Sequence, residues 1–248
     1  MQVALITGAG SRLGQVLAKH LARNGYMVVV HVNRSRDTGR KLVSEIVDDG
    51  HHAAMMSCDF ERTANVAGFF EKILRLHGLP RLIINNASVF KYDFPGKASI
   101  ESLDSSLAVH VKAPFILTEL AYRKSSRGND VTVVNILDQK VKNLNPDYFS
   151  YTVGKLGLLA ITDIWQMTPS SRMRVFGVLP GLLFRSGKQT QRDFDRVKNN
   201  TILGRNPRPE EVAEAILLLA RSKSIPGQNL VIDGGESLIR RLRDIAYE

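Results

Sequence analysis

The sequence predicts an α/β fold in which a doubly wound parallel sheet of about seven strands carries helices on both faces. Three observations predict it. Short, nearly continuous apolar runs alternate with longer segments whose apolar residues recur at helical spacing. The first apolar run leads straight into a glycine-rich turn that opens a helix. No linker and no short-period repeat interrupts this alternation over 248 residues, a length that suits one large domain with a sizeable core. Right-handed crossovers between parallel strands then supply the double winding.

Val3-Ala4-Leu5-Ile6 reads as the first strand, and Thr7-Gly8-Ala9-Gly10-Ser11-Arg12-Leu13-Gly14 as the turn after it. The helix that follows shows Val16, Leu17, His20 and Leu21 at helical spacing. Strand, glycine turn and helix together seat a diphosphate. Glycines let the backbone come close, and free N–H groups at the helix start face the negative charge. Residues 27–32 are the second strand, apolar almost throughout, as a strand covered on both faces must be. The next residues decide which dinucleotide fits. A carboxylate about 20 residues past the turn would accept hydrogen bonds from the adenosine ribose. Asn33-Arg34-Ser35-Arg36 stands there instead. A guanidinium welcomes a 2′-phosphate and no carboxylate repels it, so NADPH is the expected cofactor. The other reading leaves Arg34 and Arg36 as solvated loop charges.

Leu42, Val43, Ile46 and Val47 share one face of the next helix, which Gly50 stops. Residues 53–57 are the third strand. Asp59 has two readings, a partner for the adenine edge or a cap for the amphipathic helix at 66–76. Residues 81–85 form the fourth strand and run into Asn86-Ala87-Ser88-Val89-Phe90, mostly short side chains at a strand end where ligands approach. A long helix at 99–123 is broken or bent near Pro114. Residues 131–136 are the fifth strand, and 149–165 are helical. The sixth strand, 174–179, ends in Pro180-Gly181. Residues 182–200 are polar and irregular and read as a mobile lid. Its Arg185, Lys188 and Arg192 either hold an acidic tail of a ligand or face water. A helix at 209–221 and a strand at 230–232 complete the alternation. The charged tail from 239 onward is expected to reach a neighbouring subunit.

Tyr151 and Lys155 are four apart on a predicted helix and so share a face. The ammonium is expected to favour the phenolate and lower the tyrosine pKa. Such a tyrosine gives or takes a proton while the cofactor gives or takes hydride.

On these residues the chain resembles the short-chain dehydrogenases/reductases along nearly its whole length. The matching features are Thr7 to Gly14, Asp59, Asn85-Asn86-Ala87, Tyr151-x-x-x-Lys155, Pro180-Gly181 and Asp233-Gly234-Gly235. The resemblance implies a seven-stranded Rossmann sheet, commonly assembled as a homotetramer. It makes Tyr151 the proton donor and places Lys155 on the nicotinamide ribose. Gly8, Arg12, Leu13, Gly14, Arg34, Ser35, Asp59, Asn86, Ala87, Ser88, Pro180 and Gly181 then complete the cofactor site.

Two departures from the general pattern are informative. Arg12 stands where the family usually has glycine, and Asp138 where it usually has the serine that donates to a substrate carbonyl. An ionised carboxylate cannot donate. It suits basic N–H groups, as on an aminopterin ring, and helps relay protons to a ring nitrogen. Both departures are similar to the pteridine reductases and their bacterial dihydrofolate and dihydromonapterin reductase relatives. That likeness implies a substrate set of Arg12, Ser88, Phe90, Asp138 and Tyr151, with Phe90 stacking a flat heterocycle against the nicotinamide. The other reading of Phe90 is a core aromatic. His110 replaces a family asparagine and is expected to be a locally bonded structural histidine.

The expected activity is NADPH-dependent reduction of a pterin-like C=N bond in a dihydropterin or dihydrofolate. The alternative is a carbonyl or alcohol substrate, with Asp138 a tolerated change. A third class is a non-catalytic NADPH-binding regulator. The net charge of +10 is spread along the chain without an aromatic-basic RNA motif, so a small molecule and not nucleic acid is the expected partner. Cys58 is the single cysteine, which forbids an internal disulfide and fits a reducing compartment. The first strand leaves no room for a signal peptide, no run is long enough to span a membrane, and no metal is expected. A cytoplasmic protein follows from this reading.

Overall fold

Seven strands lie parallel in one sheet: β1 (Gln2–Ile6), β2 (Tyr26–Val32), β3 (Ala53–Ser57), β4 (Leu82–Asn85), β5 (Val131–Ile136), β6 (Met173–Pro180) and β7 (Asn229–Ile232). Their order is β3-β2-β1-β4-β5-β6-β7, and every neighbouring pair is parallel. The computed structural model describes residues 1–185, 190–197 and 200–247. Chain order reverses between β1 and β4, which leaves a crevice at their carboxyl ends, where open α/β sheets take ligands.

Side chains alternate between the two faces along each strand, so each strand feeds two cores. Ala4, Ile6, Val28, Val30, Ile84 and Phe176 pack on one side with Leu17 and Leu21 of α1 (Arg12–Arg23) and Ile216 of α8 (Pro209–Arg221). Leu5, Val29, Ile83 and Val133 pack on the other with Phe70 of α3 (Ala64–His77) and Leu117 of α5 (Ala113–Lys124). Burial on both faces is why the strands read as unbroken apolar runs. Truncating a fully buried member such as Phe70 to alanine would cost about 3–5 kcal/mol.

Two segments differ from their sequence reading. The helix expected at 99–123 is α4 (Ile100–Leu107), a π-helical turn (Ala108–Lys112) and α5. The interruption of the α-helix therefore falls at 108–112, just before Pro114, which sits in the first turn of α5. Within 182–200, a short helix, α7 (Gln191–Val197), replaces irregular chain; Lys188 lies outside the described residues. The tail folds back onto its own chain, where Arg243 pairs with Asp147 at 2.8 Å. Among the described residues no helix is long and apolar enough to cross a membrane.

Candidate active site

The glycine turn is pressed against the end of β4. Gly8 has φ +64°, and a Cβ there would lie 2.7 Å from the Ala87 Cα. No other residue fits that backbone and that gap. Thr7 Oγ1 accepts the N–H groups of Asn86 and Ala87, each at 2.9 Å. Asn86 Nδ2 donates back to Thr7 O at 2.9 Å and Gly8 O at 3.1 Å. Asn86 thus braces the turn. Ser11 caps α1, its Oγ accepting the Gly14 N–H at 3.4 Å.

His31, a lone histidine in an apolar strand, belongs to this machinery although the sequence reading assigned it no role. Its Nδ1 accepts the Gly8 N–H at 3.0 Å, and Nε2–H donates to Cys58 O at 3.0 Å. Burial pushes its pKa down to about 4, and its ring stacks on Phe60 at 4.1 Å. The Gly8 N–H is thereby committed to the protein.

Beside the turn runs a groove of about 560 Å³, from Arg34 and Ser35 past Gly10 to Ala87 and Ser88. Ser35 is at the N-terminus of α2 (Arg36–Asp48), and its hydroxyl makes no capping bond. A second cleft of about 350 Å³ shares Ser11, Asn86, Ser88 and Phe90 with the first, and adds Arg12, Leu13, Asp138, Tyr151, Lys155, Pro180 and Gly181. Asp59 stands apart, lining a neighbouring groove with Asn33. Its Oδ1 accepts from Asn33 Nδ2 at 3.0 Å and the Glu61 N–H at 3.1 Å, closing a turn well before α3 begins at Ala64. The helix-cap reading of Asp59 is therefore corrected. Arg12 reaches across the cleft mouth, donating to Arg185 O at 2.7 Å with its guanidinium 4.8 Å from the Phe184 ring.

The second cleft holds the reactive groups. Tyr151 and Lys155 rise on α6 (Phe149–Met167). A Cβ at Gly154 would lie 2.8 Å from His110 Nδ1, so this glycine lets α6 press against the π-helical turn. The Tyr151 hydroxyl donates to Asp138 Oδ2 at 2.6 Å, and Asp138 Oδ1 accepts the Lys140 N–H at 2.8 Å. Burial first, and then the Asp138 charge, raise the Tyr151 pKa well above 10. The expectation that Lys155 lowers it is corrected. The Lys155 ammonium lies 5.6 Å from the ring centroid and donates to Ile136 O at 2.6 Å, so it does not offset the carboxylate. Burial lowers the Lys155 pKa to about 8. Asp138 is itself raised by loss of water, although Tyr151 and the Lys140 N–H hold it down.

His110 is neutral, its pKa pushed below 6.5 by burial and by Lys155. Nε2 accepts the Val89 N–H at 3.3 Å and meets Ser88 Oγ at 2.9 Å. Nδ1 then carries the proton, donating to Ser106 Oγ at 3.0 Å. The histidine ties the Ser88 loop to the π-helical turn, a structural task. Phe90 is 44% exposed, so it is no core aromatic. Glu236 is a buried carboxylate at the cleft that the sequence reading missed. It accepts from Gln139 Nε2 at 2.9 Å and the Leu182 N–H at 3.1 Å, and burial raises its pKa to about 7. The motif Asp233-Gly234-Gly235 just before it was the available signal.

Residues 8–237 match the family model described as enoyl-(acyl carrier protein) reductase, within the short-chain dehydrogenases/reductases. The solved structure of FolM alternative dihydrofolate reductase 1 from Brucella suis, in complex with NADP, matches with a TM-score of 0.91 and 34% identity, covering 97% of this chain and 96% of that one. A Streptomyces violaceoruber protein named ketoacyl reductase 2 of the granaticin polyketide synthase is 30% identical over 96% of each chain. Dihydromonapterin reductase from Escherichia coli O6:K15:H31 is 25% identical, over 94% of this chain and 96% of that one.

Proposed function

The chain belongs to the short-chain dehydrogenase/reductase family, and from that premise we propose that it is an NADPH-dependent reductase of a pterin-like C=N bond, in a dihydropterin or dihydrofolate. The observation that carries the reading is the Tyr151–Asp138 hydrogen bond beside the exposed ring of Phe90. The reductases of dihydrofolate and dihydromonapterin among its relatives support it.

The groove fits a phosphorylated dinucleotide. The groove past Gly10, from Arg34 and the uncommitted Ser35 hydroxyl to Ala87 and Ser88, matches a ligand laid against backbone. In this reading the start of α1, with Ser11, Arg12 and Leu13, holds the diphosphate. Arg34 and Ser35 take the 2′-phosphate, and Asp59 lies toward the adenine. Ala87, Ser88, Lys155, Pro180 and Gly181 enclose the nicotinamide end. Bound there, NADPH supplies hydride to an electron-poor ring carbon. Tyr151 stays protonated and presents that proton at Oη. The Tyr151 hydroxyl, which donates to Asp138, turns its proton to the substrate nitrogen, and a proton from water then returns to Oη by way of the Asp138 carboxylate. When ionised, Asp138 accepts from substrate N–H groups.

The second reading is a carbonyl substrate, favoured by the ketoacyl reductase relative. One assay separates them. The purified protein should oxidise NADPH with dihydropterin or dihydrofolate, and Asp138→Ser should cut that rate at least about tenfold. Turnover of ketones alone, improved by Asp138→Ser, would overturn the pterin reading.

A further inference from the structure

Tyr148 is the one non-glycine residue at positive φ among the described residues, at φ 55° and ψ 50°. A side chain makes this backbone costly, and such strain persists only where surrounding contacts over-determine it. Here they do. On one side, the buried Asp147 carboxylate accepts from Arg243 Nε at 2.8 Å, Arg243 Nη2 at 2.9 Å, the Asp244 N–H at 2.8 Å and the Tyr92 hydroxyl at 3.1 Å. On the other side, α6 begins at Phe149. The result aims the Tyr148 ring at Phe90, with centroids 4.0 Å apart and planes at 19°. Tyr92 closes on the Tyr148 ring edge-on at 5.3 Å, and the Tyr247 hydroxyl lies 3.3 Å from that of Tyr148. Tyr148 is 4% exposed and does not line the cleft, whereas Phe90 is 44% exposed, lines it, and meets the Tyr151 ring edge-to-face at 4.7 Å.

We propose that Tyr148 is a positioning residue: the Asp147–Arg243 clamp holds its backbone left-handed, so that its ring backs Phe90 and fixes the platform on which a flat substrate stacks. This rests on the pterin reading for the identity of the substrate, and on the geometry alone for the positioning.

Tyr148→Asn tests it, because asparagine tolerates the left-handed backbone but carries no ring. In the full chain, the KM for dihydropterin should rise about tenfold, the value of one aromatic pair. The kcat and the NADPH Kd should stay within about twofold, while the melting temperature falls because a buried ring packed on Phe90 and Tyr92 is lost. Tyr148→Phe keeps the ring and should restore KM to within about twofold of the wild type. Amides of residues 88–92 should exchange hydrogen faster in Tyr148→Asn than in the wild type. An unchanged KM for dihydropterin in Tyr148→Asn overturns the proposal. If the wild type itself is inert toward dihydropterin, the substrate reading falls and exchange decides: faster exchange at 88–92 upholds the positioning role, unchanged exchange overturns it. Should Tyr148→Asn not fold, Arg243→Met releases the clamp and is read on the same two measurements.

Discussion

At the glycine-turn end of the cleft the turn is braced by neutral groups, Thr7, Asn86 and a histidine, His31, that burial keeps uncharged. The cations Arg12 and Arg34 line the grooves beside it. At the Tyr151 end the chain gathers Asp138, Lys155 and Glu236, with a Lys140–Asp244 ion pair at 3.1 Å behind them. A ligand that brings its own phosphates needs backbone approach and oriented N–H groups. Moving a proton needs titratable groups, and groups withdrawn from water must be paired or must shift their pKa. Asp138 and Glu236 rise, Lys155 falls, and the tyrosine hydroxyl is left protonated.

Substitutions at the two ends should therefore fail in different ways. The largest effect is expected from Tyr151→Phe, which removes the proton at Oη. Its kcat should drop about 10²–10⁴-fold in single-turnover assays, while NADPH binding, measured by calorimetry, holds. Equal loss of both would erase the division of labour. Gly8→Ala, at the glycine-turn end, should do the reverse. It puts a Cβ 2.7 Å from Ala87 Cα at φ +64°, so NADPH Kd should rise and stability fall by about 1–3 kcal/mol in denaturant titrations.

The smallest effect sharpens the charged end. Glu236 has a folded pKa of about 7, raised from 4.5. A raised pKa favours the folded state below pH 4.5, and that advantage is lost as pH rises through 7. Above 7 the fold holds a buried carboxylate. Glu236→Gln removes that cost and can turn its amide toward Gln139 Oε1, buried without a partner among the described residues. Thermal melts should show the variant gaining about 1–3 kcal/mol over wild type between pH 5 and pH 8.

The same contrast governs what could be read from the sequence. Strands and helices announce themselves through local periodicity, and the glycine turn through adjacent residues, so the sheet and the cofactor groove were largely legible. Tyr151 and Lys155 were legible by spacing and Asp138 only through the family resemblance, and the three do converge. The protonation of Tyr151 was not, because spacing shows a lysine nearby but hides the desolvation and the carboxylate that outweigh it. The π-helical turn was not, because it shifts hydrogen bonds without changing the apolar pattern. Nor was the tail, whose anchors lie 96 residues away at Asp147 and 104 away at Lys140, beyond any local pattern.

The proposed function stands or falls on hydride delivery to a pterin-type ring carbon beside Tyr151 and Asp138. Incubating the protein with dihydropterin and NADPH deuterated at the reactive C4 position, then reading the product by mass spectrometry and NMR, tests it directly. One deuterium is expected on a ring carbon of the reduced pterin, and none with Tyr151→Phe. Pterin returned unlabelled, while a ketone incubated in its place takes deuterium at its carbinol carbon, is the opposite result.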